Sequence, residues 1–194
     1  YWGPYILYTN VNESFTKKLL EDGKKLPKEN DASKTLASRI KKVRNYAIES
    51  WITEGLVPYT NKWIDGWNQF SGQNYIPKNA SLNSIWINFQ KAGESNPEHV
   101  HEGSDLSFVI YLKVPQQIRA DADRFLSNRL HKGAPPGSIL FKYGEYRDFA
   151  VDGRVLCPQE NTILMWPSYL RHGVTPFDCD EIRISVAGNI KFLD

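Results

Sequence analysis

Leu106-Ser107-Phe108-Val109-Ile110-Tyr111-Leu112-Lys113-Val114 is the stretch whose reading decides the fold class. It is apolar at most positions, rich in β-branched and aromatic residues, and the length of a buried strand rather than of a helix. Five further segments of the same character flank it: Ser84–Phe89, Ser138–Lys142, Arg154–Cys157, Thr162–Trp166 and Arg183–Ile190. Turn-forming residues separate them, as in Gly133-Ala134-Pro135-Pro136-Gly137 and Asp152-Gly153. Several short antiparallel strands that must each bury a face predict a jelly roll or related barrel.

Upstream of about residue 80 the apolar spacing changes to that of helices. Phe15, Leu19 and Leu20 share one face, with Asn12 or Ser14 as N-cap and Gly23 near the end. A second helix is predicted over Ala32–Ala47, with Leu36, Ile40, Val43 and Tyr46 on one side. A third runs from Ile48 to Phe70 and is expected to be kinked or divided at Pro58. The predicted fold is therefore α+β. Residues 1–80 form a helical support region packed against a double-stranded β-helix (jelly roll) core over residues 81–194, in one integrated domain.

The chain has 194 residues, enough for one well-buried core and too few for two. Twenty-four basic residues balance 22 acidic ones, so charge gives no support to nucleic-acid binding. Runs such as Phe108–Leu112 and Ile163–Trp166 are too short to span a bilayer. Cys157 and Cys179 have no metal-binding or redox spacing, which suits a reducing compartment. No secretory signal stands at the N-terminus. The expectation is a soluble protein of the cytoplasm, without membrane or nucleic-acid partners.

Only four histidines occur. His99 and His101 are two apart, so on an extended chain their side chains leave on the same side and both imidazoles can reach one metal. Such a pair suits iron, zinc, nickel or copper and does not choose among them. His172 follows the apolar strand Ile163–Trp166 and the turn Pro167-Ser168. Arg183 then opens the strand Arg183-Ile184-Ser185-Val186. His131, in His131-Lys132-Gly133, reads as a surface loop residue.

This order over residues 84–190 resembles the iron(II)- and 2-oxoglutarate-dependent oxygenase superfamily. It is most similar to the prolyl-hydroxylase-like branch and its bacterial and phage-encoded members. If the chain is phage-encoded, the compartment is the host cytoplasm. The resemblance implies Fe(II) as metal, 2-oxoglutarate as co-substrate and dioxygen as oxidant. It implies His99 and His172 as the first and last metal ligands. It implies Arg183 on the distal carboxylate of 2-oxoglutarate, which a planar guanidinium can hold through two bonds, with Tyr111 and Ser185 adding hydroxyl contacts. The implied reaction hydroxylates a C–H bond of a peptidyl (prolyl first) or small-molecule substrate, releasing succinate and carbon dioxide. The Asp148–Arg154 hairpin and the Pro115–Gly137 segment are expected to face that substrate.

One position departs from the family pattern. Asp or Glu usually stands two residues after the first histidine, and here that residue is His101. Either the site uses three histidines, or Asp105 enters in place of His101. Counting by twos puts Asp105 on the same side, unless Glu102-Gly103-Ser104 turns the chain. The histidine also fills the space a halogenase of this fold keeps for a halide. Two other classes share the strand pattern: a three-histidine cupin-like dioxygenase that uses no 2-oxoglutarate, and a non-catalytic jelly-roll binding module. The first has no use for Arg183 at a co-substrate pocket, and the second makes the order of His99, His101, His172 and Arg183 accidental.

Overall fold

Each predicted strand forms, and four more that the sequence did not announce join them. A computed structural model describes residues 3–33, 38–127, 133–145, 148–149 and 151–193. The order of elements is β1 (Leu7–Asn10), α1 (Glu13–Lys25), β2 (Val43–Asn45), α2 (Ser50–Ser71), β3 (Asn79–Gln90), β4 (Asn96–His99), β5 (Leu106–Lys113), α3 (Gln116–Ser127), β6 (Ile139–Lys142), β7 (Gly153–Leu156), β8 (Thr162–Pro167), β9 (Arg171–Val174) and β10 (Arg183–Leu193). A six-stranded antiparallel sheet runs β1-β8-β5-β10-β3-β2, and a four-stranded one runs β4-β9-β6-β7. Val109 and Tyr111 of β5 and Leu164 and Trp166 of β8 meet Ile139 and Phe141 of β6 in one apolar cluster, so the two sheets face each other as a jelly roll.

Helices α1 and α2 cover the other face of the larger sheet. Asn12 caps α1 by accepting a hydrogen bond from Ser14 N at 2.8 Å. Leu19 of α1, and Ile52, Leu56 and Trp63 of α2, enter one core with Ile87, Phe108, Ile110, Ile163 and Val186. Pro58 does not divide α2, which continues to Ser71 and ends at Gly72 in the left-handed conformation (φ 72°).

Among the described residues the helix predicted over Ala32–Ala47 does not form: from Ser38 onward irregular chain and β2 stand in its place. Val43, Arg44 and Asn45 pair with Asn88, Ile87 and Trp86. The edge of β3 would otherwise leave its backbone donors and acceptors unpaired, and that demand outweighs a weak helical periodicity. Ala32, Ile40 and Val43 pack on Trp86 as a small separate core, while Leu36 lies outside the described residues. The Pro115–Gly137 connection is not all loop, because α3 buries Ile118 and Ala122 within it. Pro115 precedes the helix start, and a two-residue apolar stripe was too narrow to read as a helix. Among the described residues no helix is long and apolar enough to cross a membrane.

Candidate metal centre

Antiparallel pairing of β4 with β9 puts His99 directly opposite His172. His101 lies just beyond the end of β4 and donates its backbone N–H to Ser168 O at 3.0 Å. The three rings converge, with centroids 4.4 Å apart for His99–His172, 4.9 Å for His99–His101 and 5.2 Å for His101–His172. One ring nitrogen from each lies within 4.8 Å of the others, a spacing three ligands can share around one ion.

The protonation pattern suits a metal. His99 Nδ1 lies 2.7 Å from Pro97 O, and His172 Nδ1 lies 2.9 Å from Leu170 O. A carbonyl only accepts, so each Nδ1 carries the hydrogen and each Nε2 keeps its lone pair. Burial pushes His101 down to about 4, with His99 adding to the effect. Burial first and His99 second push His172 down to about 3. Both are therefore neutral at neutral pH, as a metal ligand must be. The donor set fits a divalent transition ion such as iron(II).

Asp105 is turned to other partners. Glu102-Gly103 forms a turn with Gly103 at φ 75°, a conformation glycine adopts at little cost, and the strand parity that would have aimed Asp105 inward is lost. Asp105 Oδ1 pairs with Lys191 Nζ at 3.0 Å, and Oδ2 accepts from Phe192 N at 2.7 Å.

The inner face of the larger sheet carries the rest of the pocket in cross-strand rows roughly 7 Å apart. Trp86, Ala187, Val109 and Leu164 form one row, and Asn88, Ser185, Tyr111 and Thr162 the next. Arg183, opposite Gln90, stands one step further along β10. Most of these residues line the same cavity as the three histidines. Trp166 and Trp86 wall the histidine end, 4.8 Å from His172 and 5.8 Å from His101 between ring centroids.

Arg183 is only 2% exposed, and among the described residues no carboxylate pairs with it. One of its terminal nitrogens donates to Gly137 O, its Nε has no partner, and its guanidinium lies 5.7 Å from the Tyr111 ring centroid. Burial lowers its pKa, opposed by Tyr111. Burial pushes the Tyr111 hydroxyl up to about 12, so that it remains a donor. The structure thus brings His99, His101, His172, Tyr111, Arg183 and Ser185 to one pocket, and His131 lies outside the described residues. Asn88 was missed. Its signal was a polar side chain in Ile85-Trp86-Ile87-Asn88-Phe89 at the parity of Trp86, and its buried Oδ1 has no partner.

The free volume here is about 40 Å³, against about 250 Å³ between α2 and the start of β3 and about 650 Å³ beside Lys113 and Glu181. Those roomier hollows gather no histidines among the described residues, so chemistry rather than size marks the site.

Fold and cluster define a class: a jelly-roll protein with a metal-competent histidine centre inside its barrel. A family model described as "Putative 2OG-Fe(II) oxygenase" matches residues 84–189. The chain belongs to this 2OG-Fe(II) oxygenase family. It is accordingly a dioxygenase that uses iron(II) and takes 2-oxoglutarate and dioxygen as co-substrates. No curated protein matches it by sequence. Among solved structures, the fold is similar to a viral collagen prolyl hydroxylase from Paramecium bursaria Chlorella virus-1, in complex with 2OG. That match has a TM-score of 0.59 and 12% identity, covering 97% of this chain and 96% of the other. A Pseudomonas putida prolyl-4-hydroxylase matches with a TM-score of 0.58 and 13% identity, covering 99% and 95%. HygX from Streptomyces hygroscopicus, with nickel and 2-oxoglutarate bound, matches with a TM-score of 0.55 and 10% identity, covering 97% and 83%.

Proposed function

We propose that His99, His101 and His172 hold the iron, that Arg183 holds the distal carboxylate of 2-oxoglutarate, and that the enzyme hydroxylates a C–H bond of a peptidyl substrate. A prolyl side chain is the first candidate, since two of the similar folds are prolyl hydroxylases, and a small molecule the second.

The observation that carries the reading is the Arg183 guanidinium, buried in the same cavity as the three histidines and, among the described residues, paired with no carboxylate. A buried cation without an anion is costly, and a dicarboxylate reaching from metal to arginine supplies the missing charge. Tyr111 and Ser185 share a row beside Arg183 and add hydroxyl donors to that carboxylate. Asn88, in the same row, is placed to add its amide. Bound at the histidines, iron(II) supplies dioxygen activation coupled to decarboxylation of 2-oxoglutarate to succinate and carbon dioxide. The protein's part is orientation and exclusion of water, for which Trp86, Val109, Ile139 and Trp166 provide apolar walls.

We read residues 1–80 and 81–194 as one integrated domain, with the described parts of the Asp148–Arg154 hairpin and the Pro115–Gly137 segment facing the prime substrate; residues 128–132 and 150 of these segments lie outside the described residues. Two free thiols, Cys157 and Cys179, support placement in the cytoplasm.

Anaerobic titration with iron(II) and 2-oxoglutarate tests the assignment. A visible metal-to-ligand charge-transfer band is expected in the parent and absent in His172→Ala and Arg183→Ala. A parent that binds iron through its histidines but gives no band with 2-oxoglutarate would overturn the co-substrate assignment.

A further inference from the structure

Beyond the histidine end of the pocket, the inner face of the larger sheet carries one more row: Ser84, Asn189, Ser107 and Trp166. Its neighbour row places aliphatic Ala187 and Val109 at the equivalent positions of the same strands. Ser107 is 1% exposed, Asn189 8%, and Ser168, in the turn after β8, is fully buried. Hydroxyl and amide groups at such positions forgo apolar packing, so their hydrogen bonds must hold something in place.

The bonds run as one chain. Ser107 Oγ donates to Asn189 Oδ1 at 2.8 Å, which leaves Ser107 Oγ to accept from Ser168 Oγ at 2.9 Å. Asn189 Nδ2 donates to Ser84 Oγ at 3.1 Å. The chain therefore ties the β8–β9 turn, through β5 and β10, to β3.

That turn contacts two of the three histidines. Ser168 O accepts the His101 backbone N–H at 3.0 Å, and Ser168 N donates to Asp105 O at 2.9 Å. His101 lies outside the strand ladders, so the bond to Ser168 ties its backbone to the sheet. Two residues beyond Ser168, Leu170 O accepts from His172 Nδ1 and so sets that ring's orientation.

We propose that Ser107, Ser168 and Asn189 are positioning residues of the metal centre. They fix the β8–β9 turn, and the turn in turn fixes the His101 backbone and the His172 ring. The inference rests on the reading that these histidines hold iron. Outer groups that orient metal ligands typically change affinity by about 10- to 100-fold when removed.

The test measures the iron(II) dissociation constant by anaerobic chelator competition, and the d–d absorption of the cobalt(II)-loaded protein, for the parent and four variants. Ser107→Ala and Ser168→Ala are expected to weaken iron(II) binding by about tenfold or more and to alter the cobalt spectrum. Ser168→Thr keeps the hydroxyl and is expected to restore both. Val186→Ala, on the opposite face of β10, is expected to lower the melting temperature while leaving both readouts at parent values. Ser168 lies in a turn, so its alanine variant reads the chain even if Ser107→Ala fails to fold. A parent that binds no iron(II) overturns the metal assignment itself. A parent that binds, with serine variants that bind equally well, overturns the positioning role alone. So does a Val186→Ala protein whose affinity falls as far as theirs.

Discussion

The two faces of the six-stranded sheet are made by the same strands, residue by alternate residue, yet they differ in kind. Toward the helices stand Ile85, Ile87 and Phe89 of β3, Phe108, Ile110 and Leu112 of β5, Ile163 and Met165 of β8, and Ile184 and Val186 of β10, all buried in one core. Toward the smaller sheet the same strands present Trp86 and Asn88, Ser107 and Tyr111, Arg183, Ser185 and Asn189. One face carries stability, because apolar area removed from water is the main favourable term in folding. The other holds polar groups that weaken a core unless each meets a partner or a ligand. Substitutions on the two faces should therefore separate binding from stability.

The largest effect is expected at Arg183. Arg183→Met removes the charge that meets the distal carboxylate and should raise the dissociation constant for 2-oxoglutarate by about 2–4 kcal/mol, on the order of 30- to 1,000-fold. The ligand-free protein should melt at the same temperature as the parent or higher, since an unpaired buried cation is replaced by an apolar chain of similar length. Calorimetric titration beside a thermal melt reads both. A large loss of melting temperature with unchanged 2-oxoglutarate affinity would erase the distinction between the faces at its most polar residue.

Ile110, fully buried on the helix side, is the mirror case. Ile110→Ala should cost about 2–5 kcal/mol in denaturant unfolding and leave iron(II) and 2-oxoglutarate affinities intact in the folded fraction. Gly188 sharpens the same point by geometry. A Cβ there would stand 2.5 Å from Ser84 O and 2.6 Å from Phe108 Cζ. Gly188→Ala should therefore cost about 1–3 kcal/mol through overpacking, read as a lowered melting temperature with an unchanged charge-transfer band.

The two faces were not equally legible in the sequence. The apolar face announced itself, because runs such as Phe108–Leu112 carry their strand signal locally. The histidine pair was legible through spacing, since an alternate-residue pattern survives in an extended chain, and His172 and Arg183 through an order that resembles the family's. The short strands β4 and β9, which set His99 opposite His172, were invisible. Asn96-Pro97-Glu98-His99 and Arg171-His172-Gly173-Val174 have little strand propensity and pair only because the barrel closes. For the same reason β2 replaced a predicted helix: its partner, the edge of β3, is distant in the chain. Asn88 escaped because a single polar residue in an apolar strand takes its meaning from cross-strand neighbours, here Ser185 and then Tyr111.

Asp105 is where parity counting and geometry part, and it gives the smallest expected effect. Counted along an unbroken strand it shares a side with His101, whereas the turn at Gly103 sends its carboxylate to Lys191 and the Phe192 amide. Both partners of the ion pair are partly exposed, at 43% and 35%, so the pair contributes at most about 1 kcal/mol. Asp105→Asn keeps an acceptor for the amide and should lower stability by no more than that. Iron(II) should still bind at one ion per chain with parent affinity, while His101→Ala should weaken it far more than the roughly 100-fold ceiling for outer-sphere changes. The reverse result, with iron lost from Asp105→Asn and kept in His101→Ala, would return the third ligand position to the carboxylate. The departure from the family pattern would then lie in the turn rather than in the ligand set.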